Sequence, residues 1–199
     1  MKSHARVAII GGGIMGVSLL YHLSKEGWNE LVLIEKGELT SGSTWHAAGQ
    51  CPHFVGSFNA AKIHNYSNKL YQELEKETGQ STGWHGCGSL RLALKQEDVD
   101  WFHYVKGILD NVGSPAEFVK KEKIHDIHPF LKTEDVICAL HTPEDGHTDP
   151  TSTTNAMAKA ARQRGAEIYR HNRVIEIKKL PSGEWKLHTE RGSIICEHV

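Results

Sequence analysis

The 199-residue chain carries almost no net charge, with 23 Lys and Arg standing against 24 Asp and Glu. That removes the electrostatic footprint by which proteins grip nucleic acid or anionic membrane surfaces, so neither is expected as a partner. There are only four cysteines, Cys51, Cys87, Cys138 and Cys196, with no C-x-x-C pair among them. Such scattered thiols fit a reducing compartment rather than a disulfide framework, and they disfavour a structural zinc site. The 14 histidines include no H-E-x-x-H, and only His125 and His128 approach ligand spacing, so no metal is expected. No apolar run reaches the length of a membrane span. The opening MKSHARVAIIGGG lacks the apolar core and cleavage site of a secretory signal. These absences predict a cytoplasmic protein, or one of the mitochondrial matrix in a eukaryote, although no transit peptide is visible. Internal repeats and low-complexity tracts are also missing.

What is present begins with alternating elements. Residues 6–10 form a short apolar run ending in glycines, the pattern of a buried parallel strand. Ile14–Lys25 then sets Ile14, Val17, Leu20, Tyr21 and Leu23 at near-helical spacing, and Gly27 is a natural stop. Residues 31–35 read as a second buried strand, completing a βαβ opening. Residues 60–78 look helical. Residues 88–94 alternate as a strand with Leu90, Leu92 and Leu94 on one face. Gln96–Val112 carries the stripe Val99, Phe102, Val105, Ile108 and Leu109 of another helix, while KKEKIHDIH at 120–128 reads as a solvated one.

Near His147 the alternation resumes. Asp149 caps a helix with Pro150 in its first turn, running to Arg164 and stopping at Gly165. Three strand-like runs follow, 166–180, 185–189 and 193–199, with turns at 181–183 and 191–192, and they read as a meander. Ile194, Ile195 and Val199 sit in a strand pattern with no turn or polar tail after them, so the chain reads as a piece of a longer protein.

Gly11, Gly13 and Gly16 spell G-x-G-x-x-G between the first strand and first helix, the setting in which that motif binds a dinucleotide. One glycine makes the tight turn, one lets backbone approach the pyrophosphate, and one lets the helix pack on the sheet. The helix N-terminus then offers unpaired N–H groups and partial positive charge to the phosphates. Glu35, at the end of the second strand, is placed to accept hydrogen bonds from a ribose hydroxyl pair and to repel a ribose phosphate, which disfavours NADP. An NAD enzyme would continue alternating strands and helices, whereas this chain breaks into a mixed insert. That order suits a flavin domain interrupted by a second one, with segments 1–53, 54–146 and 147–199.

The runs RVAIIGGGIMGVSLLYHLSKEGW and LVLIEKGELTSGSTWHAAGQ resemble the amine-oxidising flavoproteins of the D-amino-acid oxidase superfamily, in particular the dimethylglycine and sarcosine dehydrogenase group. GCGSLRLA at 86–93, DGHTDP at 145–150 and the meander extend the resemblance over nearly the whole chain. It implies an α/β fold: a Rossmann-like FAD-binding domain of the glutathione-reductase type, with an inserted α+β substrate domain, truncated here. Ile14 and Met15 would lie against the FAD pyrophosphate, Glu35 and Lys36 would face the adenosine ribose, and Val174 would meet the adenine through its backbone. Gly42, Ser43, Thr44, Trp45, His46, Ala47, Ala48, Gly49 and Gln50 would wrap the flavin, with His46 bonded covalently to a methyl group of the isoalloxazine.

The implied activity is hydride removal from the N-methyl carbon of dimethylglycine, sarcosine or a related methylated amine, with an electron-transfer flavoprotein or oxygen as acceptor. A folate-binding region would lie beyond Val199, and this stretch alone would be inactive. His53, Tyr66, Trp84 and His85 are conceivable pocket residues, but packing or surface roles are favoured for each, and no catalytic acid or base is assigned. Two alternatives share the glycine motif: an NAD-linked dehydrogenase and a dinucleotide-binding module without turnover.

Overall fold

A computed structural model describes all residues, 1–199. In chain order its elements begin with β1 His4–Ile10, α1 Ile14–Lys25, β2 Leu31–Ile34, a 3-10 turn Thr44–His46 and β3 Gln50–Cys51. Then come α2 Phe58–Thr78, β4 Ser89–Ala93, α3 Gln96–Val112, β5 Glu117–Lys120, the one-turn α4 Ile124–Ile127, β6 Cys138–Thr142 and β7 Gly146–His147. The last stretch holds α5 Pro150–Gln163, β8 Glu167–Tyr169, β9 Val174–Lys179, β10 Trp185–Thr189 and β11 Gly192–His198. No helix is long and apolar enough to cross a membrane. Two compact units emerge: Met1–Ala48 with Leu74–Gly83 and Asp149–Val199, and Gly49–Glu73 with Trp84–Thr148.

The first unit is built on a six-stranded sheet in the order β8-β2-β1-β11-β10-β9. β8, β2, β1 and β11 run parallel, and β10 and β9 continue antiparallel from β11. All four residues of β2 are buried, as expected of a strand covered on both faces. Ala8, Val32, Ile34, Leu187, Ile194 and Cys196 form the core on one face. By strand alternation Val7, Ile9, Leu31 and Leu33 face the other side. α1 packs on β1, β2 and α5 through the fully buried Val17, Leu20 and Tyr21. The Tyr21 hydroxyl donates to Glu77 at 2.8 Å, and Glu77 also pairs with Arg164.

The meander differs from the pattern read in the sequence. Residues 166–180 are not one strand but two, β8 and β9, which lie on opposite edges of the sheet. The break falls at 170–173, where His171 takes a left-handed φ of 52° and Asn172 is buried. With neither Gly nor Pro to mark it, the turn is made by a histidine in a conformation that few non-glycine residues adopt. The Asn172 side chain accepts the Arg191 N–H at 3.1 Å and so ties the turn to the β10–β11 connection.

The α5 cap forms as the sequence predicts. The Asp149 carboxylate accepts the Ser152 N–H at 2.6 Å with Pro150 at the first position. Ser152 holds that carboxyl below the usual aspartate range. Asp149→Ala is expected to cost about 1 kcal/mol, the ordinary worth of such a cap, read as a lower urea midpoint at unchanged slope.

The second unit holds a three-stranded antiparallel sheet, β4-β6-β5, covered on both faces, and the β3-β7 pair. On one face Val119, Ile124, Val136 and Ala139 pack with Leu90 and Leu92; on the other Ala93 and Leu140 pack with Phe102 of α3. Leu94 falls outside β4 and is exposed, because the strand ends at Ala93 and the chain turns into α3. Of 120–128 only α4 and a preceding 3-10 turn are helical, and Ile124 is fully buried rather than solvated. One apolar residue at the right height is enough to pin the segment to the sheet.

Candidate functional site

β1 stops at Ile10, and the glycine loop turns the chain into α1. Gly11 has φ 110° and donates its N–H to Ile34 O at 2.9 Å, keeping the loop tied to β2. A Cβ on Gly16 would lie 2.0 Å from the Gly11 carbonyl oxygen, and one on Gly12 2.6 Å from Leu39. No side chain fits at either place; Gly12 is itself buried, and Gly11 and Gly13 are half-buried. The N-cap, Gly13, provides no side-chain acceptor to α1. The Ile14 N–H is instead taken by Thr44 Oγ1 at 3.0 Å, and Met15 is 82 % exposed beside it.

Glu35 lies directly after β2 and is 8 % exposed. Its two carboxylate oxygens accept the Gly12 N–H at 2.6 Å and the Gly37 N–H at 2.7 Å. Each oxygen keeps one lone pair for a further donor. The Glu35 carbonyl accepts the Asn172 N–H at 2.9 Å, so the stretch leading into Val174 runs beside the end of β2. Val174 is half-buried and packs on the sheet core, while Lys36 is exposed. Glu38, one turn farther on, is engaged by His171 at 2.7 Å and Arg170 at 2.5 Å, which hold its carboxyl below the usual range.

The segment from Leu39 returns to the glycine loop. Thr40 is buried with a left-handed φ of 68°, and its N–H donates to Gly12 O at 2.9 Å. For a β-branched residue this is a strained backbone, held because the loop over-determines it. The 3-10 turn Thr44–His46 follows and packs on α5, with Thr44 buried and Trp45 and His46 exposed. The two rings lie 3.9 Å apart, and the His46 ring nitrogens bond to nothing else in the chain. Gly42, Ser43, Ala47 and Ala48 are exposed around them. The structure thus gathers Gly11, Gly13, Ile14, Met15, Gly16, Glu35 and Thr44 in one unit. Gly49 and Gln50 belong to the other, where Gly49 O accepts the Thr148 N–H at 2.9 Å and Gln50 pairs with His147.

The second unit contains a polar cluster that sequence reading missed. Asp145 is 2 % exposed, and one oxygen accepts both the His53 N–H and its ring Nδ1, each at 2.7 Å. The other accepts from Ser89 Oγ at 2.5 Å and Thr142 Oγ1 at 2.6 Å. Burial pushes this carboxyl up, but the bonds from His53, Ser89 and Thr142 outweigh it and hold it below the usual aspartate range. A carboxyl lowered by folding contributes stability above its unfolded value and loses it as pH falls through the folded one. Stability is therefore expected to decline below about pH 4, and Asp145→Asn is expected to flatten that acid limb in urea titrations at stepped pH. His53 is buried in this cluster, whereas Tyr66 and His85 are exposed and Trp84 half-buried against Gly146.

The first unit fits a dinucleotide. Its loop has no room for a Cβ at Gly12 or Gly16, Met15 is exposed in the first turn of its helix, and its buried acid retains lone pairs at the strand end. Residues 6–199 match the family model described as FAD dependent oxidoreductase, DAO. The chain is 45% identical over 198 residues to dimethylglycine dehydrogenase, mitochondrial, of Rattus norvegicus. It is 38% identical over 198 residues to the pyruvate dehydrogenase phosphatase regulatory subunit, mitochondrial, of Mus musculus. In both alignments 100% of this chain is covered and 23% of the relative, so the chain spans about a quarter of their length. Among solved structures, L-proline dehydrogenase from P. horikoshii superposes with a TM-score of 0.90 at 27% identity, covering 100% of this chain and 53% of that one. The chain belongs to the DAO family of FAD-dependent oxidoreductases.

Proposed function

We propose that this chain is the flavin-holding part of an enzyme that oxidises the N-methyl C–N bond of dimethylglycine, sarcosine or a related methylated amino acid. The observation that carries the reading is the exposed Trp45–His46 pair, set on a turn whose Thr44 is hydrogen-bonded to the first amide of the glycine-loop helix. When bound, FAD supplies a two-electron acceptor that takes a hydride from the substrate carbon. The first unit would hold it. Gly11, Gly13 and Gly16 leave room for the pyrophosphate, and the free first-turn amide of Met15 and the helix dipole attract it. The Ile14 amide stays with Thr44, whose hydroxyl hydrogen is then free for a phosphate oxygen. Glu35 accepts the ribose hydroxyls, with Lys36 beside it, and Val174 offers backbone to the adenine.

Residues 42–50 would line the flavin. Gly42, Ser43, Ala47, Ala48 and Gly49 are small enough for a flat ring to approach the backbone, Trp45 would pack beside it, and Gln50 would close the segment. The neutral His46 imidazole would add to the methide tautomer of a flavin methyl group, the methyl C–H and imidazole N–H protons being lost and the two electrons being left on the flavin ring, which its own acceptor then reoxidises. Residues 54–146 would form part of the substrate domain. An electron-transfer flavoprotein or oxygen would be the acceptor, and a folate-binding region outside these residues would take up the one-carbon product.

A second reading, a dinucleotide-binding module without turnover, is favoured by the likeness to a protein named as a regulatory subunit. Anaerobic mixing of the full-length, flavin-loaded protein with dimethylglycine and with sarcosine separates them. Bleaching of the flavin absorption supports the enzyme reading; bound flavin that neither amine bleaches overturns it in favour of the module.

A further inference from the structure

The second unit places a buried carboxylate at the root of the segment that completes the flavin-lining stretch. Gly49–His53 is a short strap held mostly by groups outside it; its Pro52 O accepts from His64 Nδ1 at 2.7 Å, and the His53 ring also meets Asn68 Nδ2 at 3.1 Å. Its only ladder is the two-residue β3–β7 pair, Gln50 with His147 and Cys51 with Gly146. Around that ladder, Gly49 O accepts from Thr148 and Cys51 O accepts from Asn68 Nδ2 at 2.9 Å. The end of the strap is fixed by Asp145, which holds His53 by both its amide and its ring. Asp145 is in turn locked to the start of β4 through Ser89, and through the Gly88 N–H to its carbonyl at 2.8 Å, and to the end of β6 through Thr142.

Asp145 borders a cavity of about 270 Å³ together with Gln50, Cys51, Ser89, Arg91 and His147, which invites a ligand-binding role. The geometry argues against one. A carboxylate has about four acceptor positions, and four donors already fill them at 2.5–2.7 Å. Binding a substrate ammonium would require breaking one of these short, charge-assisted bonds in a buried place. Its work is therefore done on the strap.

We infer that Asp145 is a positioning residue for the flavin: it sets Gly49 and Gln50 through His53 without touching cofactor or substrate. The inference rests on the reading of residues 42–50 as the flavin-lining segment.

The test uses the full-length flavoprotein and Asp145→Asn, which keeps size but replaces one acceptor oxygen with a donor. Two readouts are needed. Hydrogen exchange of the 49–53 amides, read without substrate, is expected to quicken at least tenfold, with His53 most affected. The visible circular dichroism of the bound flavin is expected to change, and its reduction rate by dimethylglycine to fall at least tenfold while KM moves less than twofold. His53→Asn, whose side-chain Nδ2 stands where the ring Nδ1 was and keeps a donor for Asp145, is expected to stay within threefold of wild type.

If Asp145→Asn does not fold, the Ser89→Ala, Thr142→Val pair, which strips both donors from the second oxygen, carries the same test with smaller changes in the same direction. Faster exchange with an unaltered flavin signal and rate would overturn the inference, as would unaltered exchange. A wild-type protein whose residues 42–50 gain no exchange protection when flavin binds would instead sink the underlying reading, and the inference with it.

Discussion

Gly16→Ala is expected to destabilise the protein by about 3 kcal/mol and to weaken FAD binding more than tenfold, although it adds a single methyl group. That methyl would sit 2.0 Å from the Gly11 carbonyl oxygen and 3.3 Å from Ile9 Cγ2, far inside contact distance. The tightest obstacle is the Gly11 backbone, its carbonyl oxygen at 2.0 Å and carbon at 3.2 Å, so no rotamer change relieves it. Either α1 lifts from β1, loosening the buried Val17, Leu20 and Tyr21, or the Gly11 turn distorts and loses its bond to Ile34. Both movements spoil the surface proposed for the pyrophosphate. Gly107→Ala is the internal control: Gly107 lies inside α3 and a Cβ there meets nothing within 4 Å. The same chemical change is expected there to stabilise by about 0.5–1 kcal/mol, because alanine is the better helix former. Urea midpoints of the two variants measured together should move in opposite directions. A Gly16→Ala protein as stable as wild type and still saturated with flavin would show that the loop yields where the packing says it cannot.

Much of the fold was legible because its strongest signals are local. The bounds of α1 and α3 follow from apolar spacing and a glycine after each, and α5 from an Asp-Pro start. What escaped depended on partners distant in sequence. Residues 166–180 look like one strand-like run because β8 and β9 each have strand patterning; only their pairing, β8 with β2 and β9 with β10, separates them. The turn between them is enforced by tertiary bonds of Asn172 to Arg191 and Glu35.

The same division holds in the site. The glycine motif and Glu35 were readable because a fixed spacing within one βαβ unit carries the chemistry. Thr44 was placed only as part of a lining segment, and its bond to the Ile14 amide spans 30 positions, which no local pattern announces. In the sequence Asp145 stands out only as part of the DGHTDP motif. Its partners His53, Ser89 and Thr142 are scattered over β4, β6 and the strap, and a polar residue amid turn-formers gives no sign of being buried. The one cue available was its company, Gly146 next to it and Asp149 four residues on, which reads equally well as an ordinary turn.

His46→Ala is expected to abolish covalent flavin attachment while leaving FAD bound. The two outcomes separate because different residues serve them: the glycine loop and Glu35 are tied to each other through Gly12 and do not involve the His46 side chain. His46 is exposed at the end of a 3-10 turn, its ring lies against Trp45, and its nitrogens are uncommitted within the chain, so the imidazole is available as a nucleophile. Acid precipitation should carry the flavin down with wild-type protein and release it from the variant. The wild-type tryptic peptide spanning 37–62, which has no internal Lys or Arg, should gain the flavin mass and lose it on mutation. Trp45→Ala is expected to keep the attachment, since the ring packs beside the bond without forming it. A covalent bond there would draw electron density from the flavin and favour electron uptake, so under the proposed reading the variant is expected to be reduced by methylated amine more than tenfold more slowly. Flavin that remains bonded in His46→Ala, or an unmodified 37–62 peptide in wild-type protein expressed with ample flavin, would remove His46 from this role. The glycine loop and Glu35 would then be left to hold the cofactor by noncovalent contacts.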